Sequence, residues 1–387
     1  MTTTTPRIDD DPRTIASTLG PELAANAARH DADSSFVAES FELLRDHGLL
    51  ALAVPTELGG HGATLREIAA VQQELARHCA STALASAMHQ HVTAFTAWRY
   101  RRDLAGAEAT LRRVADDGIV LVSTGGADLT QPKGLAVRDE TETGWRVSGR
   151  KAFASQSPVG TVLSTMFPYD RPDGGRGVLN MAVPVSSPGV TVLDDWDSLG
   201  MRGTGSNTVV LDDVLVPDER VLADRPHGVI DPPLQVIMSI AMPIIAAVYL
   251  GAATAAYEAA VLSVAGSSDP ITQRQVGAMA HRLRIAQWAL DGAGEAIGDD
   301  PPPSVEAVLA AMAAKREIAL AAVEVCDIAM EVAGGRAFLK GSPIERAYRD
   351  VRAAKFHPFS PEITLVHAGR HALGVPVDDI LAAVDRP

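Results

Sequence analysis

The sequence predicts an α+β fold built as three consecutive blocks: a helical part over 1–115, a β-rich middle over 116–226 and a helical bundle over 227–387. Three observations predict it. Apolar residues recur at helical spacing in the first and last thirds of the chain. Between them, from about Gly118, the chain breaks into short Val- and Thr-rich runs separated by Gly or Pro, the signature of a compact sandwich or barrel. The composition, 47% hydrophobic but only 4% aromatic, suits close-packed helices filled with Ala, Val, Leu and Ile.

The first block takes its helices from "FVAESFELLRDHGLL" and "LREIAAVQQELARHCASTALASAMHQHVTAF", punctuated by Gly48 and "PTELGGHG". The middle block reads as strands in "GIVLVSTGG", "GLAVRD", "GWRVSGRKAFAS", "VLSTMFPY", "GVLNMAVPV", "GVTVLDDW" and "NTVVLDDVLVP". The last block holds three long Ala-rich helices, interrupted by the loop "GDDPPPS", and a final helix after Pro361; this predicts a four-helix bundle. The crevice between a β-domain and a bundle is a natural ligand site, since pockets favour domain interfaces.

Charge and cysteines exclude several functions. With 48 acidic against 34 basic residues the net charge is -14, and no basic run exceeds a pair such as Arg101–Arg102, so nucleic acid is not the expected partner. Cys79 and Cys326 suggest neither a disulfide framework nor a metal cluster, which points to a reducing cytoplasm. "MTTTTPRIDDDPR" lacks the apolar core of a signal peptide. "VIMSIAMPIIAAVYLGAATAA" has nearly the length of a membrane span, but Pro243 and the Ala-rich helix that follows mark it as a buried helix.

Four strings in order resemble the acyl-CoA dehydrogenase superfamily of flavoproteins: "LLALAVPTELGGHGATLREIAAVQQELAR", "GWRVSGRKAFAS", "LGMRGTGSNTVVLDDVLVP" and "EVAGGRAFLKGSPIERAYRD". The resemblance implies a flavin between the β-domain and the bundle, FAD in preference to FMN, in a homo-oligomer (tetramer or dimer) whose neighbouring subunit completes the flavin site. It places Ser155 near flavin N5, where a hydroxyl can donate as electron density builds, and Phe153 over one flavin face. The loop "VSTGGAD" would meet the pyrimidine through Ser123 and Thr124, with Gly125 and Gly126 allowing close backbone approach. Gly334 and Gly335 match the turn that approaches a neighbour's adenine-side phosphate. Gln275 keeps a family position, but the Arg-bearing turn before it is shortened, leaving Arg274 as a partial substitute, and Glu331 replaces the family's Gln.

The family's dehydrogenases use a Glu to remove the α-proton of an acyl thioester. At its usual position this chain has Pro358; at the alternative position, on the first helix of the bundle, it has Met238. General-base catalysis is worth about 10²–10⁴-fold, so that loss matters. His357 is the nearest substitute, and Glu362 lies four residues beyond Pro358. His367 and His371 share a helix face but lack a third ligand, so no metal is expected. Three readings stay open. The slightly favoured one is a reduced-flavin, O₂-using monooxygenase of a small hydrophobic compound, served by a flavin reductase. The second is an acyl-CoA dehydrogenase with a displaced base. The third is an incomplete subunit that needs a sister subunit.

Overall fold

The structure, a computed structural model, describes residues 11–377 apart from 125, 127, 128 and 130. Six helices come first: α1 (Pro12–Thr18), α2 (Gly20–Asp33), α3 (Ala38–Asp46), α4 (Leu65–His78), α5 (Ala80–Tyr100) and α6 (Ala107–Asp117). Local chemistry sets their ends. Thr64 and Glu67 form a reciprocal capping box at the start of α4, and Gly118 takes the left-handed conformation that stops α6.

Eight strands follow: β1 (Leu121–Ser123), β2 (Leu135–Arg138), β3 (Gly144–Ala154), β4 (Val162–Asp170), β5 (Arg176–Pro184), β6 (Val190–Val192), β7 (Asn207–Pro217) and β8 (Val221–Pro226). They form two four-stranded sheets, ordered β1-β4-β5-β8 and β2-β3-β7-β6. Val147, Leu163, Phe167, Met181, Val209 and Val214 fill the core between them. β8 is one strand more than the sequence runs predict. Its segment, "VLADRP", is too polar to read as a strand alone, but it pairs antiparallel with β5.

Three long helices, α7 (Pro232–Ser263), α8 (Pro270–Ile297) and α9 (Val305–Ala333), and two short ones, α10 (Pro343–Asp350) and α11 (Pro361–Ala372), follow among the described residues. The most apolar stretch lies in α7, and 94% of its apolar window is inside the protein, packed on α4, α5 and α9. It is the central core helix.

Gly251 decides how closely α7 approaches α4. A methyl group there would stand 2.2 Å from the Gln73 carbonyl oxygen and 2.8 Å from Ala76 Cβ. Gly251→Ala gains about 1 kcal/mol of helix propensity. It loses more, because rigid backbone must move, and overpacking costs about 1–3 kcal/mol. The variant is expected to be less stable in a denaturant titration; equal or greater stability would mean that the helices shift apart freely.

The bundle and the sheets are joined by the "RD" pair. Arg349 on α10 bonds Asp31 of α2 (2.6 Å) and Glu345 (2.5 Å). Buried Asp350 accepts the Met201 N–H at 2.5 Å. Gly200 fits only because it lacks a side chain: a Cβ would sit 2.4 Å from the Arg349 carbonyl. The turn before β7 is thus fixed against the turn that leads to His357.

Candidate active site

At the end of β3 a register shift lies between Lys151 and Ala154 in the pairing with β7. It turns Phe153 out of the sheet at φ 59°, a left-handed conformation costing about 1–3 kcal/mol for such a residue. Phe153 stays 62% exposed, its ring edge-on to Trp196 at 6.0 Å. Trp196 Nε1 donates to the Met201 carbonyl at 3.1 Å, so this aromatic wall is fixed. Packing alone does not account for a strained, exposed aromatic held in this way.

Beside it runs a chain of hydroxyls. Thr204 Oγ1 lies 2.9 Å from the Met201 carbonyl and 2.7 Å from Ser206 Oγ, which in turn lies 2.8 Å from Ser155 Oγ. The proton of each hydroxyl can point either way along this chain. Ser155, itself buried, stands at its end.

On the bundle side, a short helical turn over Val351–Phe356 delivers His357 in extended backbone. Its Nε2 lies 2.6 Å from the Tyr249 hydroxyl of α7. Buried Lys315 of α9 donates to the carbonyls of His357 (2.5 Å) and Phe359 (2.7 Å), holding this segment at two points. His357 as a residue is half-buried. Desolvation, reinforced by the charge of Lys315 and by nearby His91, drives its pKa down to about 3, so the imidazole is neutral at physiological pH. Burial lowers Lys315 to about 8.

His91 on α5 lies close enough to His357 to lower its pKa and is a candidate that sequence reasoning missed. Its Nδ1–H donates to the Ala87 carbonyl at 3.1 Å, which leaves Nε2 as an acceptor. Burial lowers its pKa to about 4. Its neighbour His89 is structural: it accepts from the Leu121 N–H (3.0 Å) and donates to the Leu50 carbonyl (2.8 Å). Two histidines flanking Gln90 in a long apolar helix were the available signal for both.

Pro358 packs on the loop after β1, where a Cβ on Gly126 would lie 2.2 Å from Pro358 Cδ. Met238 lies in an apolar cluster with Ile230, Leu234, Val308 and Met312, against which Leu129 and Phe359 pack. Neither dehydrogenase base position carries a proton acceptor. Glu362 is exposed, in the first turn of α11.

The remaining candidates fall into two groups. Ser123 lies in β1, opposite Ser164. Thr124 is buried, its hydroxyl donating to Thr165 Oγ1 at 3.2 Å. Gly125 lies outside the described residues. Arg274, Gln275, Gly334 and Gly335 sit at the other group's location, where the start of α8 meets the end of α9; Arg274 and both glycines are exposed. Gln275 donates to Glu331 Oε2 at 3.0 Å, which explains the carboxylate at 331: it partners the amide. His371 pairs with Glu306 at 2.8 Å, while His367 is fully buried. Among the described residues no cluster could hold a metal ion.

The exposed Phe153 wall, the Ser155 hydroxyl and the close-approach Gly126 fit a planar cofactor with polar edges, and the fold is that of a flavin-dependent oxidoreductase. The acyl-CoA dehydrogenase N-terminal, middle and C-terminal domain families match residues 13–103, 123–214 and 243–361. The chain is 30% identical to L-evernosamine nitrososynthase of a Micromonospora species, over 95% of this chain and 91% of that protein. It is 29% identical to a putative acyl-CoA dehydrogenase of Bacillus subtilis, over 88% and 91%. Among solved structures it resembles KijD3 in complex with FMN and dTDP-3-amino-2,3,6-trideoxy-4-keto-3-methyl-D-glucose, with TM-score 0.86 and 28% identity over 97% and 98% of the two chains. The chain belongs to the acyl-CoA dehydrogenase superfamily.

Proposed function

We propose that this protein is a reduced-flavin monooxygenase that transfers an oxygen atom from O₂ to the nitrogen of a small amine, with FMN rather than the FAD favoured by the resemblance. The observation that carries this reading is Pro358. A dehydrogenase needs a base to take the α-proton; here the position is a proline packed on Gly126, and the alternative position is an apolar Met238. A family scaffold without the base suits the oxygenase branch, as the nitrososynthase relative does. Bound reduced FMN supplies two electrons to O₂, so that one oxygen atom goes to the amine and the other leaves as water. A separate flavin reductase would supply that reduced FMN.

The chain's residues support the choice of FMN. The family's pyrophosphate-binding Arg turn is absent before Gln275, and Gln275 itself is engaged by Glu331. A carboxylate there disfavours a pyrophosphate. KijD3 was solved with FMN. The apolar cluster around Met238 and Met312 suits the hydrophobic part of a substrate, and the neutral imidazoles of His91 and His357 can hydrogen-bond an amine without repelling it. A homo-oligomer is part of this reading: Ile271, Ile285 and Trp288 project from α8 into solvent. Buried Cys79 and Cys326, both free thiols, suit a reducing cytoplasm.

The test is a pair of reactions on the flavin-loaded protein. Anaerobic addition of acyl-CoA thioesters should leave the oxidised-flavin band unchanged. Reduced FMN, O₂ and a panel of primary amines and amino sugar nucleotides should yield hydroxylamine or nitroso products. Bleaching by a thioester would replace this reading with a dehydrogenase.

Ser155 gives a further prediction. In this reading Ser155 donates along the chain to Ser206 and accepts from the N–H that a flavin carries at N5 only when reduced. Ser155→Ala is expected to weaken binding of reduced FMN about tenfold, the worth of one hydrogen bond, and to change that of oxidised FMN little. Equal losses for both forms, measured by anaerobic and aerobic fluorescence titration, would remove this role.

A further inference from the structure

We propose that Tyr249 fixes the tautomer of His357, placing the imidazole proton on Nδ1 as a permanent hydrogen-bond donor toward the reacting oxygen; the last clause rests on the oxygenase reading. Tyr249 lies within the core helix α7 and is 1% exposed. Burial and the nearby Asp350 hold its pKa well above the ordinary value, so the phenol keeps its proton. Among the described residues its hydroxyl has one hydrogen-bond partner, His357 Nε2 at 2.6 Å.

A proton on Nε2 would point at the phenol oxygen, and the phenol's own proton would then have no acceptor in a fully buried place. Buried donors are almost always satisfied. The phenol therefore donates, Nε2 accepts, and the neutral ring carries its proton on Nδ1. The backbone that carries the ring is anchored on both sides, because Lys315 holds the carbonyls of His357 and Phe359. Burial, reinforced by the Lys315 charge, opposes a second proton on the ring.

Tyr249 is thus a positioning residue that acts through His357. His91 is complementary: its Nδ1–H is used on the Ala87 carbonyl, so its Nε2 is an acceptor. One neutral histidine offers a donor and the other an acceptor. That pairing can donate a hydrogen bond to an oxygen atom and accept one from a substrate N–H while both rings stay neutral.

The experiment is nitrogen NMR on the full-length, flavin-loaded protein carrying ¹⁵N-histidine, with His357 assigned by its absence in His357→Gln. The expected result is an Nδ1–H tautomer for His357 in the native protein and a mixture of tautomers in Tyr249→Phe. An Nε2–H tautomer in the native protein overturns the inference without recourse to any variant. An unchanged Nδ1–H tautomer in Tyr249→Phe overturns it as well. In turnover, Tyr249→Phe should lower product formed per O₂ consumed about tenfold, with hydrogen peroxide making up the balance and KM for the amine unchanged. If the tautomer shifts as expected but the native protein oxygenates no amine, the tautomer assignment stands and the proposed function falls.

Discussion

Replacing His357 with Ala is expected to cut the rate of amine oxygenation by about 10²–10³, the usual cost of removing one preorganised donor from a reacting oxygen. Flavin affinity should stay within about threefold, because Phe153, Ser155 and the loop after β1 are untouched. Oxygen consumption should persist and yield hydrogen peroxide, since electrons still reach O₂ while the group that directs the oxygen atom is gone. The structure also dictates the pH behaviour. With its pKa down at about 3, His357 does not titrate in the working range. The native rate should therefore show no limb near pH 6.5 that disappears in His357→Ala. Such a limb would mean that imidazolium, rather than a neutral N–H donor, is the active form. A variant that keeps more than about a third of the native rate would remove His357 from the chemistry.

Much of this site is legible in the sequence, and what is missed shares one cause. The order of helices, strands and helices follows from local periodicity, and so do the strings that carry the family resemblance. The missing base is visible because it is a single position, Pro358. Tyr249, Lys315 and His91 are not visible. Each lies within a helix whose apolar pattern is complete without it: Tyr249 in "AAVYLGAATAA", Lys315 in "AAMAAKREIALAA", His91 in "ASAMHQHVTAF". Periodicity tells which face is buried but not what it meets, and Tyr249 meets His357 from 108 residues away. A lysine on an otherwise Ala-rich buried face was the one cue available for Lys315. The chain of hydroxyls behind Ser155 was out of reach for another reason: it joins the end of β3 to the turn before β7, 51 residues away.

Those same buried imidazoles make the fold acid-sensitive, and the second large effect is a loss of about 5 kcal/mol of stability between pH 6.5 and 4.5. His89, His91 and His357 have folded-state pKa values pushed down to about 4, 4 and 3 by burial. A free histidine titrates near 6.5. Their contribution is therefore complete above pH 6.5 and is lost as pH falls through the unfolded value, because the unfolded chain takes up protons that the folded chain refuses. Asp350 works in the opposite sense. Burial raises it to about 6, so below that pH the folded state holds a proton that the unfolded carboxylate lacks. For these four groups, three protons taken up on unfolding against one released leave about two, each worth about 1.4 kcal/mol per pH unit; His61, His227 and His367, also lowered by burial, add to the uptake, and Asp231, raised by burial, subtracts from it. Denaturant titrations at pH 7, 6, 5.5, 5 and 4.5 should show that slope. His91→Gln, which cannot take up a proton in either state, should lower it by one. A slope below one proton would mean that water reaches the imidazoles and that they are not the dry, neutral groups on which the proposed chemistry depends.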